Sequence, residues 1–226
     1  MNLEQARINM VEQQIRTWEV LDQDVLDLLY TVPREEFVPA AYRNLAFADM
    51  EIPLAKDAGE GEKMWMPKME ARVLQELAVK RSDRVLEVGT GSGYLTALLA
   101  HRAAQVCSVE ISPALAAFGK ANIARHGVEN VTLHVGDGAR SAAPAFAGPF
   151  DVVVLTGSVP VLPRALLESL APGGRAFAVI GETPVMTAKI FTRTGPGADP
   201  TLRAAELFET LIAPLANCER PSRFKF

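Results

Sequence analysis

Three glycines stand close together in RVLEVGTGSGYLTALLA, the stretch from Arg84 to Ala100, between an apolar run and a run with helical spacing. Gly89, Gly91 and Gly93 permit positive φ angles and a close approach of the main chain to a ligand. The free N–H groups at the start of the following helix can donate hydrogen bonds to that ligand. In an open parallel sheet the first strand-to-helix turn commonly contacts the ligand, so we expect a ligand here. A tight turn that binds nothing has the same pattern.

Two classes of cofactor use such a loop, dinucleotides and S-adenosylmethionine. The dinucleotide pattern G-x-G-x-x-G requires a glycine where Tyr94 stands, whereas this chain has G-x-G-x-G. Glu87 precedes Gly89 by two residues and brings a carboxylate to the loop. A carboxylate repels a pyrophosphate and balances the ammonium and sulfonium charges of S-adenosylmethionine. The pattern therefore favours the methyl donor, and a dinucleotide-dependent dehydrogenase is the alternative.

Two further acids follow predicted strands. Glu110 ends the second strand, where a carboxylate can accept hydrogen bonds from both hydroxyls of a ribose. Asp137 stands between Gly136 and Gly138 after the third strand, where it can accept a hydrogen bond from an adenine amino group. Asp between glycines is also a common turn. Together with Glu87 and the glycine loop, these acids form an ordered set that indicates a nucleoside site.

Short β-rich runs alternate with helical segments through much of the chain. The runs are RVLEV, QVCSVE, VTLHV, DVVVL and RAFAVI, and the segment SPALAAFGKANIARHG begins with Ser112 as N-cap and Pro113 after it. This alternation predicts a parallel sheet with helices on both faces. TAKIFTRT and AELFETLIAPL predict a closing pair of antiparallel strands. Upstream, apolar spacing predicts helices in Leu3–Ile15, in Asp24–Tyr30 and from Pro67, with a loop region between the last two.

The composition is that of an ordinary globular protein. The 226 residues are 49% hydrophobic and 22% charged, and no apolar run approaches the roughly 20 residues of a membrane span. The N-terminus lacks the features of a secretory signal, so we expect a cytoplasmic protein without a membrane partner. Cys107 and Cys218 are too few for a disulfide framework or a metal cluster. The net charge of -4 offers no general attraction to nucleic acid, although the tail ERPSRFKF is basic.

The motifs together resemble the protein-L-isoaspartate O-methyltransferases, class I enzymes that use S-adenosylmethionine. The resemblance rests on VPREEFVPAAYRNLAFADMEIPL, RVLEVGTGSGY, VEIS, NVTLHVGDGA, PFDVVVLTG and LAPGGRAFAVIGE. It implies a Rossmann-like α/β fold with a seven-stranded, mostly parallel sheet, one antiparallel strand, helices on both faces and an N-terminal helical extension. We expect the extension and a substrate-side loop in residues 1–66, and the S-adenosylmethionine-binding methyltransferase domain in residues 67–226.

The same resemblance implies the site and the reaction. The implied cofactor contacts are Glu87, Gly89, Gly91, Glu110, Asp137 and Gly138, and Thr156 is expected near the substrate after the fourth strand. The implied reaction is carboxyl methylation of isoaspartyl residues in damaged proteins or peptides, by a monomer or a homodimer. Because a carboxylate has a reference pKa of about 4, it is ionised at neutral pH and needs no general base. The enzyme would then contribute alignment and removal of water.

The chain departs from this family at one motif. The family has Thr-Ile-Ser-x-Pro before the helix that precedes the first strand, and its serine hydroxyl lies at the active centre. This chain has KMWMP, in which Lys63, Met64 and Trp65 replace the first three residues and Pro67 keeps the register. An indole has one N–H donor, no acceptor and a larger volume than a hydroxyl. Trp65 either packs beneath a loop or lines the methyl-transfer site as a catalytic residue, where its ring could contact the sulfonium group or a flat substrate.

Three functions are therefore open from the sequence. The first is isoaspartyl methylation. The second keeps the cofactor but uses a small aromatic or apolar acceptor, because of the KMWMP motif. The third is a module that binds the cofactor without transferring its methyl group.

Overall fold

The computed structural model describes residues 2–59, 61–140, 148–195 and 201–219. The helices are α1 (Leu3–Met10), α2 (Gln23–Thr31), α3 (Pro67–Leu77), α4 (Tyr94–Arg102), α5 (Pro113–Arg125) and α6 (Arg164–Glu168). The strands are β1 (Ile52–Pro53), β2 (Lys63–Met64), β3 (Arg84–Val88), β4 (Gln105–Glu110), β5 (Val131–Val135), β6 (Phe150–Val159), β7 (Leu170–Glu182), β8 (Val185–Arg193) and β9 (Leu202–Glu209).

The main sheet has seven strands in the order β5-β4-β3-β6-β7-β8-β9. Strands β3 to β7 pair in parallel, and β8 runs antiparallel to both β7 and β9. The predicted fold is confirmed, including the closing antiparallel pair, which forms β8 and β9. The chain goes from β3 to β4 on one side and later returns to β6 on the other side of β3. Such a reversal of strand order opens a crevice at the carboxyl ends of the strands.

The sheet is covered on both faces, which explains why its central strands are almost continuously apolar. Val85 of β3 belongs to a core that includes buried residues of α1 to α5. Its neighbour Leu86 points to the other face and packs in a second core with Leu166 of α6. Because side chains alternate along a strand, Glu87 lies on the same face as Val85 and is directed toward the helices.

The N-terminal extension contributes to the first of these cores. The predicted first helix is α-helical only to Met10, and it continues as a π turn (Val11–Ile15) and a 3₁₀ turn (Arg16–Trp18). Helix α2 begins at an N-cap, Asp22, whose side chain accepts hydrogen bonds from two backbone N–H groups. The loop region contains further 3₁₀ turns and the β1–β2 hairpin. The boundary at residues 66/67 stays a prediction.

The described helices are short. The longest α-helix is α5, with 13 residues. In the described ranges, no helix has both the length and the apolar character needed to cross a membrane. Of the basic tail ERPSRFKF, residues 220–226 lie outside the described part of the chain. The cytoplasmic location and the oligomeric state stay predictions.

Candidate active site

The glycine turn joins β3 to α4 in backbone conformations that favour glycine. The φ angles are +101° at Gly89, +51° at Gly91 and +80° at Gly93. A Cβ atom on Gly89 would lie 1.9 Å from Oγ1 of Thr156, far closer than such atoms approach. This hydroxyl lies there because it donates to the carbonyl oxygens of Val88 and Gly89, each 2.9 Å away. The turn and β6 are thus held together with no space for a side chain.

A cavity of about 870 Å³ opens at the carboxyl ends of the central strands. Its volume lies in the upper part of the range for small-molecule sites. Gly138 forms part of the wall, and a Cβ atom there would lie 2.4 Å from Cγ1 of Val88. The structure brings most of the sequence-predicted site residues together on this wall. They are Trp65, Gly89, Gly91, Glu110, Asp137, Gly138 and Thr156.

Backbone and side-chain amides hold two of the predicted acids in place. Glu110 accepts hydrogen bonds from the N–H of Gly91 through Oε2, at 2.9 Å, and from the N–H of Ser112 through Oε1, at 3.0 Å. Oδ2 of Asp137 accepts a hydrogen bond from Nδ2 of Asn217, at 2.7 Å. Carboxylates held in this way are oriented before a ligand arrives, which lowers the entropy cost of binding. Asn217 comes from the C-terminal segment, so that segment helps to build this end of the cavity.

Glu87 is the exception among the predicted contacts, because its carboxylate lies behind the glycine turn. The side chain is fully buried and is not among the described residues that line the cavity. Its Oε2 accepts hydrogen bonds from Thr96, at 2.5 Å, and from Ser108, at 2.6 Å. Burial raises the pKa of Glu87 to about 8 despite these hydrogen bonds. The group is therefore largely uncharged at neutral pH, and the argument that its charge balances a cationic cofactor is not supported.

Glu87 instead supports the turn from behind. Its partner Ser108 also lies 2.6 Å, oxygen to oxygen, from the hydroxyl of Thr90, which belongs to the glycine turn.

We expect Glu87→Gln to bind S-adenosylhomocysteine as the wild type does. We also expect it to reduce the pH dependence of thermal stability. The folded state holds the proton of Glu87 more tightly than the unfolded state, so stability is lost as pH rises from about 4.5 to about 8.

Calorimetric titrations and thermal melts at several pH values in that range check both outcomes for Glu87→Gln. The wild type should lose more stability with rising pH than the variant. A large loss of affinity would instead show that Glu87 acts on the ligand. Equal slopes of melting temperature against pH would show that Glu87 ionises normally.

Trp65 lines the cavity from the segment that precedes α3. Its side chain is 7% exposed, and its ring packs edge-on against Phe177, with 6.3 Å between the centroids. Met64 and Met186 are also on the wall. Both hypotheses for Trp65 therefore have a basis, because the ring is packed in the core and also faces the cavity. Its contact with a bound ligand stays a prediction.

Arg34 and Glu70 form a buried ion pair that the sequence analysis missed. Arg34 is fully buried, and its Nη1 donates to Oε2 of Glu70, which is 3% exposed and lies on the cavity wall. The same guanidinium donates through Nη2 to the carbonyl oxygen of Trp65 and through Nε to that of Ala46. Burial raises the pKa of Glu70 to about 7, and the charge of Arg34 opposes this rise. One arginine thus holds both Trp65 and an acid at the cavity.

The sequence indicates one member of this pair, Glu70, but not the other. Glu70 lies at helical spacing with Val73, Leu74 and Leu77, all of which are buried on α3. An acid within such an apolar stripe must be paired or face a cavity, because burying an isolated charge is costly. Its partner stands 36 residues earlier, which spacing alone does not reveal.

The cavity wall as a whole is acidic. Among the described residues of the wall, Lys63 is the one basic residue, and its Nζ lies 3.7 Å from Oε2 of Glu51. Such a wall attracts a cation and repels a pyrophosphate. The preference for S-adenosylmethionine therefore has support from residues other than Glu87. The acids on the wall are Glu51, Glu62, Glu70, Glu110, Asp137 and Glu182.

Three features define a class I methyltransferase: the strand order, the glycine turn beside the point of reversal, and the acids at the end of β4 and after β5. Comparison with known proteins agrees with this class and narrows it. The family described as protein-L-isoaspartate(D-aspartate) O-methyltransferase (PCMT) matches residues 5–218. The chain belongs to this family, and it is an enzyme that uses S-adenosylmethionine.

Individual relatives cover most of the chain. The protein-L-isoaspartate O-methyltransferase of Methanoculleus marisnigri is 40% identical over 175 residues, 77% of each chain. That of Roseiflexus castenholzii is 37% identical over 215 residues, 95% of this chain and 94% of the relative. A PCMT crystal structure from Plasmodium falciparum, in complex with S-adenosyl-L-homocysteine, superposes with a TM-score of 0.76 at 21% identity. The superposition covers 95% of this chain and 98% of the Plasmodium falciparum chain, and this likeness shows the fold.

Proposed function

We propose that this chain transfers a methyl group from S-adenosylmethionine to the free carboxylate of an L-isoaspartyl residue in a protein or peptide. One observation carries the proposal. The family match, residues 5–218, contains every described residue of the cavity wall, from Glu51 to Cys218. The relatives that match over most of the chain are named for this activity.

The wall has groups that suit each part of the cofactor. In this proposal Glu110 accepts hydrogen bonds from the ribose hydroxyls, and Asp137 and Gly138 contact the adenine. The main chain at Gly89 and Gly91 approaches the methionine part, because both residues line the cavity without a side chain. Trp65 and Thr156 are on the acceptor side.

The chemistry needs little from the protein beyond position and a dry site. S-adenosylmethionine supplies an electrophilic methyl group on a positively charged sulfur. The acceptor carboxylate is ionised at neutral pH, since its reference pKa is about 4, so no side chain has to remove a proton. Trp65, Met64 and Met186 exclude water from the wall, which strengthens the attraction between the two opposite charges. Thr156 contributes by holding the glycine turn against β6.

A peptide assay tests the function directly. We expect the purified chain to transfer the labelled methyl group to a synthetic isoaspartyl peptide. It should not label the same peptide with a normal aspartyl residue, because the α-carboxylate is then within the peptide bond. Labelled product is counted after separation of the peptide. Binding of S-adenosylhomocysteine without any transfer to the isoaspartyl peptide would refute the proposed acceptor while leaving the cofactor in place.

A small aromatic acceptor is the second candidate, and the observation that favours it is the indole of Trp65 on the wall. It predicts turnover of small phenols or aromatic acids and none of peptides. Trp65→Ser should then abolish that turnover, because the ring that contacts the acceptor is lost. If the peptide is the true acceptor, Trp65→Ser should retain peptide transfer, since serine is the family's residue at this position.

A further inference from the structure

We propose that Glu70 binds the ammonium group of the methionine part of S-adenosylmethionine, and that Arg34 is the positioning residue that holds this carboxylate in place. The inference rests on the cofactor of the proposed function and does not depend on the acceptor. Methyl transfer to a carboxylate gives Glu70 no proton to remove, so the reaction leaves this cavity acid without a role.

The geometry of Glu70 points to a ligand. The side chain is almost completely buried, yet it is part of the cavity wall. Within the described ranges, its hydrogen bonds engage Oε2, which Arg34 holds, and leave Oε1 for a further donor. An ammonium group brings three N–H donors and no acceptor, which matches a carboxylate oxygen of this kind.

Arg34 fixes the direction of this carboxylate. Its guanidinium is bound on two other sides by the carbonyl oxygens of Ala46 and Trp65. The guanidinium carbon also lies 5.1 Å from the ring centroid of Tyr94, the first residue of α4. Arg34 thus links Glu70 to the first residue of the helix that follows the glycine turn. Because the guanidinium of Arg34 is itself held in place by these contacts, the carboxylate of Glu70 has little freedom to move. The site is therefore formed before the ligand binds.

The other acids near the turn are less suited to this role. Glu87 is sealed behind the turn by Thr96 and Ser108. Glu110 is held by two backbone N–H groups at the end of β4, where a ribose is expected. Glu70 comes from α3, directly after the segment that carries Trp65, at the side of the cavity formed by the N-terminal part of the chain. It is therefore the acid whose place and free oxygen match the amino-acid end of the cofactor.

The test compares two ligands that differ only at that end. S-adenosylhomocysteine carries the ammonium and carboxylate, and 5′-methylthioadenosine has the same nucleoside and sulfur without them. Glu70→Gln should weaken S-adenosylhomocysteine by about 10- to 100-fold, the range for a hydrogen bond to a charged group, and change 5′-methylthioadenosine by less than about twofold. The glutamine oxygen can still accept from Arg34, and retained binding of 5′-methylthioadenosine reports a folded site. Glu87→Gln is the matched control and should change neither affinity.

A measurement on the wild type alone provides a second check. S-adenosylhomocysteine from which only the amino group has been removed should bind the wild type about 10- to 100-fold more weakly than the parent. This ligand should bind Glu70→Gln and the wild type with equal affinity. It has no ammonium group, so the carboxylate of Glu70 has nothing to bind in the wild type either. Equal affinity of the wild type for both ligands, or equal weakening of both ligands by Glu70→Gln, would overturn the proposal. These titrations contain no methyl acceptor, so their outcome is separate from that of the peptide assay.

Discussion

Gly89→Ala abolishes measurable binding of S-adenosylhomocysteine, with a loss of affinity of at least about 100-fold expected in calorimetric titrations. The new Cβ atom would lie 1.9 Å from Oγ1 of Thr156, and φ is +101° at this position. A non-glycine residue in such a conformation costs on the order of 1 to 3 kcal/mol before any clash is counted. Thr156 would have to move, and its hydrogen bonds to the carbonyl oxygens of Val88 and Gly89 would break. The turn and β6 would separate where the ligand is expected.

Two controls separate the causes of the effect at Gly89. Gly127 also has a positive φ, +64°, but has no atom within 4 Å of a Cβ position, so Gly127→Ala measures backbone strain without a clash. It should lower stability slightly and leave ligand affinity unchanged. Adding Thr156→Ala to Gly89→Ala removes the clashing hydroxyl and should restore part of the stability. Wild-type affinity in Gly89→Ala would mean that no ligand lies against this turn.

Arg34→Met lowers the free energy of unfolding by about 3 to 5 kcal/mol, the usual cost of leaving one member of a buried ion pair without its partner. Arg34 and Glu70 are almost completely buried, and the change also leaves the carbonyl oxygens of Trp65 and Ala46 without their donor. For a chain of this size the loss corresponds to a fall in melting temperature of about 6 to 20 °C. Urea denaturation and thermal melts measure it.

The double variant Arg34→Met/Glu70→Leu should regain much of this stability, because no unpaired buried charge remains. Arg16→Met is the matched control. Arg16 pairs with Glu12 at the surface, with side chains 36% and 49% exposed, and such pairs contribute about 1 kcal/mol or less. A loss in Arg34→Met no larger than that in Arg16→Met would show that the pair does not organise the cavity.

The elements of this chain were predictable where their cause is local. The N-cap of α5 is one example, because Ser112 accepts the N–H of Leu115 three residues later. The glycine turn is another, since its three positive φ angles require residues without a Cβ atom. The parallel sheet was also predictable, because strands that alternate with helices are joined by crossover connections between parallel strands. Glu110 and Asp137 both lie on the cavity wall for the same reason: Glu110 ends β4 and Asp137 stands two residues after β5, and the two strands end at one edge of the sheet.

Glu87 and Glu70 were harder to assign, for opposite reasons. Glu87 is adjacent to the glycine turn in sequence, yet the alternation of side chains along β3 directs it toward Thr96 of α4. Glu70 is distant from the turn in sequence and reaches the cavity because α3 packs beside α4. Arg34, 36 residues away, is buried beside it and offsets part of the cost of burying its charge.

The dependence on distance along the chain is physical. Capping, left-handed turns and the alternation of apolar residues arise from interactions within a few residues, so a linear sequence contains their cause in full. Desolvation, ion pairing and the shape of a cavity arise from groups that meet only after helices and sheet have packed. Asn217 reaches Asp137 across 80 residues in this way. The fold and the glycine turn could therefore be predicted from the amino-acid sequence. Tertiary packing decided that the carboxylate of Glu70 lies at the cavity and that of Glu87 is buried behind the glycine turn.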